Sequence, residues 1–449
     1  MSNAVKENTI LKDLLTYQTH LNGQSSLLEK IRKESAEKVK NTPFPTTRDE
    51  DWRFTNLKPL TRGGDFVPDQ EESSEYDPSE LEEYFIPESE NTRLVFINGR
   101  FSTEYSSIDD LPEGTLIGNL AEFAAEDNKI VEEHLNQYAE YEEDIFTYFN
   151  GAFLDDGSMV YIPQDTKVES PIHILNFYTN SDQDFFTNPR TLVVADKFSK
   201  STVIEEHIGL SDNRYLTVPV VELKLFEGAN VKHLRIQRDS RQAIHISRPV
   251  AHVAQHSKYE SYTITLGARL SRNDPKIVAT DEEVDFTVDG LVLIDGDQIA
   301  DTHSVMDHRQ AHATSHQLHK CVINGEAHSV FNGKIFVRQG AQKIDSFQEN
   351  RNLLLSRDGH VNTKPQLEIF ADDVVCTHGA TIGSFEDEEL FYLKSRGLSG
   401  EKARELITYG FALETIENIE VDSIHQLLLK EVERYSKSHR DEPEAKPVA

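Results

Sequence analysis

Cys376 and His378 stand two residues apart in the stretch ADDVVCTHGATIG, from Ala371 to Gly383. Cysteine is scarce in this chain, and only Cys321 accompanies Cys376. The preceding Val374-Val375 is apolar and reads as a strand, on which residues i and i+2 share one face. Thiol and imidazole would then project the same way, a soft ligand beside a borderline one, which is how a chain presents a metal or sulfur site. Two ligands are too few to close such a site. Gly379 follows at once, where a bulge or a close approach of another backbone is expected. A Cys–His nucleophile pair is the competing chemistry. Strand geometry sets the two about 7 Å apart, too far for a direct hydrogen bond without a bend.

A second concentration of ligating side chains is the run His303, His308, His312, His316, His319 and His328. His308, His312 and His316 have helical spacing, yet strand-like segments precede and follow them. They read either as exposed or hydrogen-bonded histidines on turns, or as a surface that handles metal transiently. Neither HExxH nor a cysteine pair at zinc spacing supports a fixed site. Cys321, in HKCVING, reads as a small buried hydrophobe. The sequence has no GxxxxGK[ST] loop and no GxGxxG between strand and helix, so ATP hydrolysis and ordinary dinucleotide binding are not expected. Arg351 and Arg396 read as structural or interface residues.

The elements that must position these groups fall into three stretches, at 1–150, 151–385 and 386–449. The first begins with helical spacing at Leu11, Leu14 and Leu15, then Leu27, Leu28, Ile31 and Val39. From Asp65 to Glu90 there are 11 carboxylates and no Lys or Arg, which reads as a solvated linker with little regular structure. A strand over Leu94–Ile97 turns at Asn98-Gly99, and a helix is expected from roughly Leu120 to Phe149. The second stretch is a succession of short Val-, Ile- and Thr-rich runs (MVYIP, PIHILNFY, TLVVA, STVIEEHI, VVELKLF, VKHLRIQ, YTITLG, VDFTVDGLVLI). Their cadence fits a parallel β-helix better than a sandwich or barrel. The third is helical: Asp387–Lys394 stopped by Gly397, a helix capped by Ser399, and a third from Asp422 to Tyr435. Ala403, Leu406, Ile407, Gly410, Phe411 and Leu413 are assigned to one apolar stripe of the second helix.

Composition narrows the function. A formal net charge of −32 repels phosphate backbones and anionic lipid, so neither nucleic acid nor a membrane surface is an expected partner. Two cysteines are too few for a disulfide scaffold or a self-contained four-cysteine site. No apolar run approaches the roughly 18 residues of a spanning helix. The N-terminal MSNAVKENTILKDLL has neither a signal-peptide core nor transit-peptide composition. A cytoplasmic protein is the expectation.

From Phe331 to Gly397 the chain closely resembles the SufB/SufD iron–sulfur cluster assembly family. FNGKIFV, AQKIDSFQENRNLLLS, TKPQLEIFADDVVCTHGATIG and LFYLKSRG occur in that order, and the earlier PFPTTRDEDWRFTNL, with Trp52, looks like the family's N-terminal piece. Within the family the chain looks SufD-like. CTHGATIG resembles the SufD form, and Leu393 stands where SufB can carry a cysteine.

The resemblance implies a mainly β fold, a right-handed parallel β-helix core flanked by helical N- and C-terminal regions. It implies a non-enzymatic scaffold subunit that pairs with SufB through the β-helices and docks the ATPase SufC on its C-terminal helices, where Leu406 and Phe411 would serve. A SufD homodimer is an alternative assembly. A transient iron–sulfur cluster would be shared with SufB, with no ATP site on this chain. His378 corresponds to the histidine implicated there, and Cys376 is its motif neighbour. Competing readings are a SufB-like paralogue, a purely structural partner of SufB, and a β-helical enzyme using Cys376 and His378.

Overall fold

The structure is a computed structural model. It describes residues 25–438 apart from 62–65, 69–75, 140–143, 180 and 182. The expected helix around Leu11–Leu15 and the tail beyond Ser438 lie outside the described residues.

The chain is mainly β, a solenoid of about 8 turns with helices towards both ends. The strands form two long sheets, in which strands of successive turns stack in parallel. The parallel strands of one sheet run from Gly157–Ile162 to His360–Ile369, those of the other from Thr92–Ile97 through Ile172–Tyr178 to Val375–Ser384. The partner of Gln317 is Gln348, 31 positions along the chain. Since a parallel register places like positions directly above one another, inward residues form columns. One reads Ile162, Ala195, Leu225, Val253, Ala279, His308, Val337. Every member is buried. Burying each large aliphatic side chain is worth roughly 1.5–3 kcal/mol, so β-branched and leucine-rich runs form these strands.

Helices cover both outer faces. Ser26–Asn41 and Ile145–Ala152 lay Ala36, Val39, Phe146 and Phe149 against Phe186, Leu216, Ile244 and Leu270. At the other end Gly400–Ile416 and Asp422–Ser438 bury Ala412, Ile416, Ile424, Leu428 and Val432 against Leu234, Ile264, Leu291 and Val322. Asn98 and Gly99 both take positive φ, 49° and 85°, and close a hairpin between Thr92–Ile97 and Arg100–Phe101.

Three expectations are corrected. The described part of the acidic stretch is folded, not a solvated linker. Leu81 and Ile86 are buried, Asp77 caps a short helix Pro78–Glu82, and Arg93 lies over the Phe85 ring at 3.9 Å. Apolar residues spaced among the carboxylates provide the anchor. The helix expected over Leu120–Phe149 is broken into Leu120–Ala125, Lys129–His134 and Ile145–Ala152. Left-handed φ at Asp127 and Asn136 and new N-caps at Asn128 and Asp144 interrupt it. The histidine run is neither a helix face nor mainly a turn feature. His312 alone sits in a turn, with φ 61°, and the other five lie on strands.

Buried titratable groups make the fold acid-sensitive. Burial, with the neighbouring His245 charge, lowers His207 to about 3. Burial alone lowers His319 to about 4, and His308 falls to about 4 although Asp307 opposes the shift. Each is neutral when folded and protonates near pH 6.5 when unfolded. Their stabilising contribution is complete above pH 6.5 and is lost as pH falls towards 4, at about 1.4 kcal/mol per pH unit for each histidine. Burial also raises Glu205, but the His233 hydrogen bond and charge and the Arg235 charge outweigh it and hold the carboxyl at about 2. That contribution is lost between pH 4.5 and 2. Urea midpoints are therefore expected to be flat above pH 7 and to fall steeply between pH 6.5 and 4. A midpoint unchanged at pH 5 would contradict the assignment.

Candidate functional site

Cys376 and His378 lie on the last turn of the solenoid. Among the described residues their strand, Val375–Ser384, pairs only with Asp345–Leu354 and ends its sheet. Cys376 is opposite Ser346 and His378 opposite Gln348, and both of those partners are buried. The two candidates therefore cap two polar columns inside the β-helix. Beneath Cys376, Ser346 Oγ meets Ser315 Oγ at 2.6 Å, and Ser315 meets His308 Nε2 at 3.0 Å. Beneath His378, Gln348 Nε2 donates to Gln317 Oε1 at 2.8 Å, and Gln317 reaches Ser304 Oγ. Gln348 Oε1 has no hydrogen-bond partner among the described residues. Cys376 packs half-buried against the apolar interior, whereas His378 is exposed.

The bulge or close approach expected at Gly379 does not occur. The ladder runs unbroken through Glu349↔Gly379, and a side chain there would meet open space. Around this end the solenoid exposes Val375, Ile382, Ile369 and Phe370, by 64%, 52%, 37% and 60%. Large apolar side chains at a sheet's unpaired edge mark a surface for another chain. Sequence reasoning missed them, along with Ser346 and Gln348. The periodic run of the strands was a signal for the latter pair, but only register ties it to the site.

The remaining candidates are dispersed. His308 and His319 are interior, with His319 stacked on Phe331 and its ring closed over by Gly290. His303 meets Asp301 at 3.0 Å, His328 meets Asn362 at 2.7 Å, and His316 stacks on Phe347. The described residues contain no group of three or more His, Cys, Asp or Glu able to hold a metal ion. Cys321 is fully buried among Val292, Ile294 and Ile323. Burial pushes its thiol up to about 12 against hydrogen bonds from Ser329 and Asn350. Partial burial, then the Asp345 carboxylate, raises Cys376 above its ordinary value. Leu406 and Phe411 do not share a face, which corrects the single stripe. Leu406 is 47% exposed, while Phe411 packs on the β-helix under the Lys320 ammonium. Five positions on a helix are about 140° apart, so the two must diverge.

A family model described as "SUF system FeS cluster assembly, SufBD core domain" matches residues 177–411, and a second, "SufBD protein N-terminal region", matches residues 10–174. An iron–sulfur cluster assembly SufBD family protein of Synechocystis is 35% identical over 94% of this chain and 95% of its own length. The chain belongs to the SufB/SufD family. The iron–sulfur cluster assembly protein SufD of Escherichia coli is 26% identical over 87% of this chain and 89% of its own. That of Bacillus subtilis is 24% identical over 91% and 93%. Within the SufB/SufD family the chain is SufD-like, and the family is one of iron–sulfur cluster assembly.

Thiol accessibility separates the two cysteines. Iodoacetamide is expected to label Cys376 alone in the folded chain, at a rate that keeps rising above pH 9, since only the thiolate reacts. Peptide mass spectrometry should find Cys321 modified only after unfolding. Labelling of Cys321 in the native chain would contradict its burial.

Proposed function

We propose that this chain is a non-catalytic SufD-like scaffold, working in the cytoplasm, that offers His378 with Cys376 beside it to an iron–sulfur cluster being built as cargo. A SufB subunit docking on the open end would supply the remaining ligands. The observation that carries this reading is the position of both donors on the last, half-paired turn, ringed by exposed apolar side chains. A partner strand or face covering that turn would bury the apolar ring and complete the ligand set together. Imidazole is a competent iron ligand beside thiolates. The unpartnered Gln348 carbonyl lies one turn below His378. By accepting a ring N–H it would leave the other nitrogen for iron, in the way outer-shell acceptors orient ligating histidines. A site divided between two chains also lets the finished cluster leave.

SufC would dock on the C-terminal helices. Phe391 and Tyr392, exposed by 73% and 57%, and Leu406 form the candidate surface, while Phe411 supports the helix from below. Lys320 fastens that helix to the β-helix through the Phe411 carbonyl at 2.9 Å and through Glu414, so a SufC-driven movement would be passed on to the strands.

With SufB and SufC, His378→Ala is expected to leave the complex assembled and to abolish the visible absorption of the reconstituted cluster. Normal cluster build-up in that variant would refute the assignment of His378. Loss of the complex itself would favour a purely structural role. For the helices, Leu406→Asp should weaken SufC co-purification while the melting curve stays that of the parent chain. Phe411→Asp should destabilise the fold by roughly 1–3 kcal/mol, as a charge placed against a packed surface does.

A further inference from the structure

The segment 43–57 crosses the outer face of the solenoid's last turns and is fastened there at three points. Trp52 is buried beneath the Arg272 guanidinium at 4.0 Å, and Arg272 Nη1 donates to the Asp51 carbonyl at 2.6 Å. The Thr55 hydroxyl donates to the Asp301 carboxylate, and Glu50 pairs with Lys364. Between these fastenings the segment stands off the sheet and encloses a cavity of about 530 Å³, within the size range of small-molecule sites.

The lining sets Arg48, Arg53 and Lys364 against Glu50, Asp51 and Asp301. Asp301 is held by Arg272, and Glu50 by Lys364. Arg48 and Arg53 also line the cavity, yet neither guanidinium makes an ion pair among the described residues. Asp51 lies beside them, and the Arg53 charge also acts on Glu50. Arg48 and Arg53 thus bring two guanidiniums without an ion pair to one cavity, and their planar forks suit carboxylate or phosphate oxygens.

The floor adds a second, independent demand. His303 Nε2 lies 3.0 Å from Asp301 Oδ1, and the Asn332 amide nitrogen lies 3.4 Å from His303 Nδ1. Asn332 Oδ1 is then shielded without a hydrogen-bond partner, and so is Thr363 Oγ1 on the same wall. Shielded acceptors in this state are ordinarily satisfied by water or a ligand. A ligand carrying hydroxyl donors would answer them after a small side-chain adjustment, while Phe54 and Val330 give it an apolar wall.

We infer that this cavity binds a small hydroxyl-bearing organic anion, its carboxylate or phosphate held by Arg48 and Arg53 and its hydroxyls by the Asn332 and Thr363 floor. The site is separate from Cys376 and His378 and does not rest on their role.

Calorimetric titration of the whole chain with citrate and with glycerol 3-phosphate tests it. Saturable binding of at least one is expected, weakening as salt rises. Whichever binds identifies the anionic group. The exposed pair Arg48→Ala/Arg53→Ala should lose at least about tenfold in affinity, with an unchanged melting temperature. Asn332→Leu should weaken binding of the hydroxylated probe more than that of tricarballylate, which lacks citrate's hydroxyl. His378→Ala should bind as the parent chain does. Absence of saturable binding by both probes, or equal affinity in the double arginine variant, would overturn the proposal.

Discussion

Parallel stacking in strict register governs this molecule. Each strand lies on the one a turn earlier, so a residue's neighbours are fixed by positions about thirty residues away. Apolar columns satisfy themselves by contact. Polar ones must be hydrogen-bonded along the column, as Ser346 with Ser315 and Gln348 with Gln317 are, or across to the other sheet, as Ser315 with His308 and Gln317 with Ser304 are. The arrangement works at every turn with a neighbour on both sides. At the last turn one neighbour is missing, and the same rule that buries Gln348 leaves His378 exposed above it.

That missing neighbour links fold to function. In the middle of the solenoid Cys376 and His378 would be interior residues like Cys321 and His319. At its end they are two donors on a surface with apolar side chains around them. The incompleteness of the donor set and the incompleteness of the sheet are one fact, since a partner that finishes the sheet would also finish the site.

The outer layers are held on by a few charged contacts. Arg272 clamps the N-terminal segment through Trp52, Asp51 and Asp301. Lys320, with Arg351, gathers Glu414 of the penultimate helix. Breaking the buried Arg272–Asp301 pair would leave an uncompensated charge, and these fastenings fix where the layers attach. They leave a cavity under the N-terminal segment and an exposed helical surface at the C-terminal end, both close to the open turn.

Local patterning was enough to read the strands, their interruption by turns, the Asn98-Gly99 hairpin, and the C-terminal helices with their Ser399 cap and Gly397 stop, because each depends on neighbours a few residues away. The motif around Cys376 and His378 was legible for the same reason, and its likeness to a family carried the fold. Short-range reasoning failed where distant partners decide. The acidic stretch was read as solvated because its carboxylates outnumber Leu81 and Ile86, which dock on strands far along the chain. Leu406 and Phe411 looked alike until packing put one in solvent and one under Lys320. The polar columns, the exposed ring at the last turn and the cavity beneath residues 43–57 arise only when turns stack, since register joins residues that no local pattern relates.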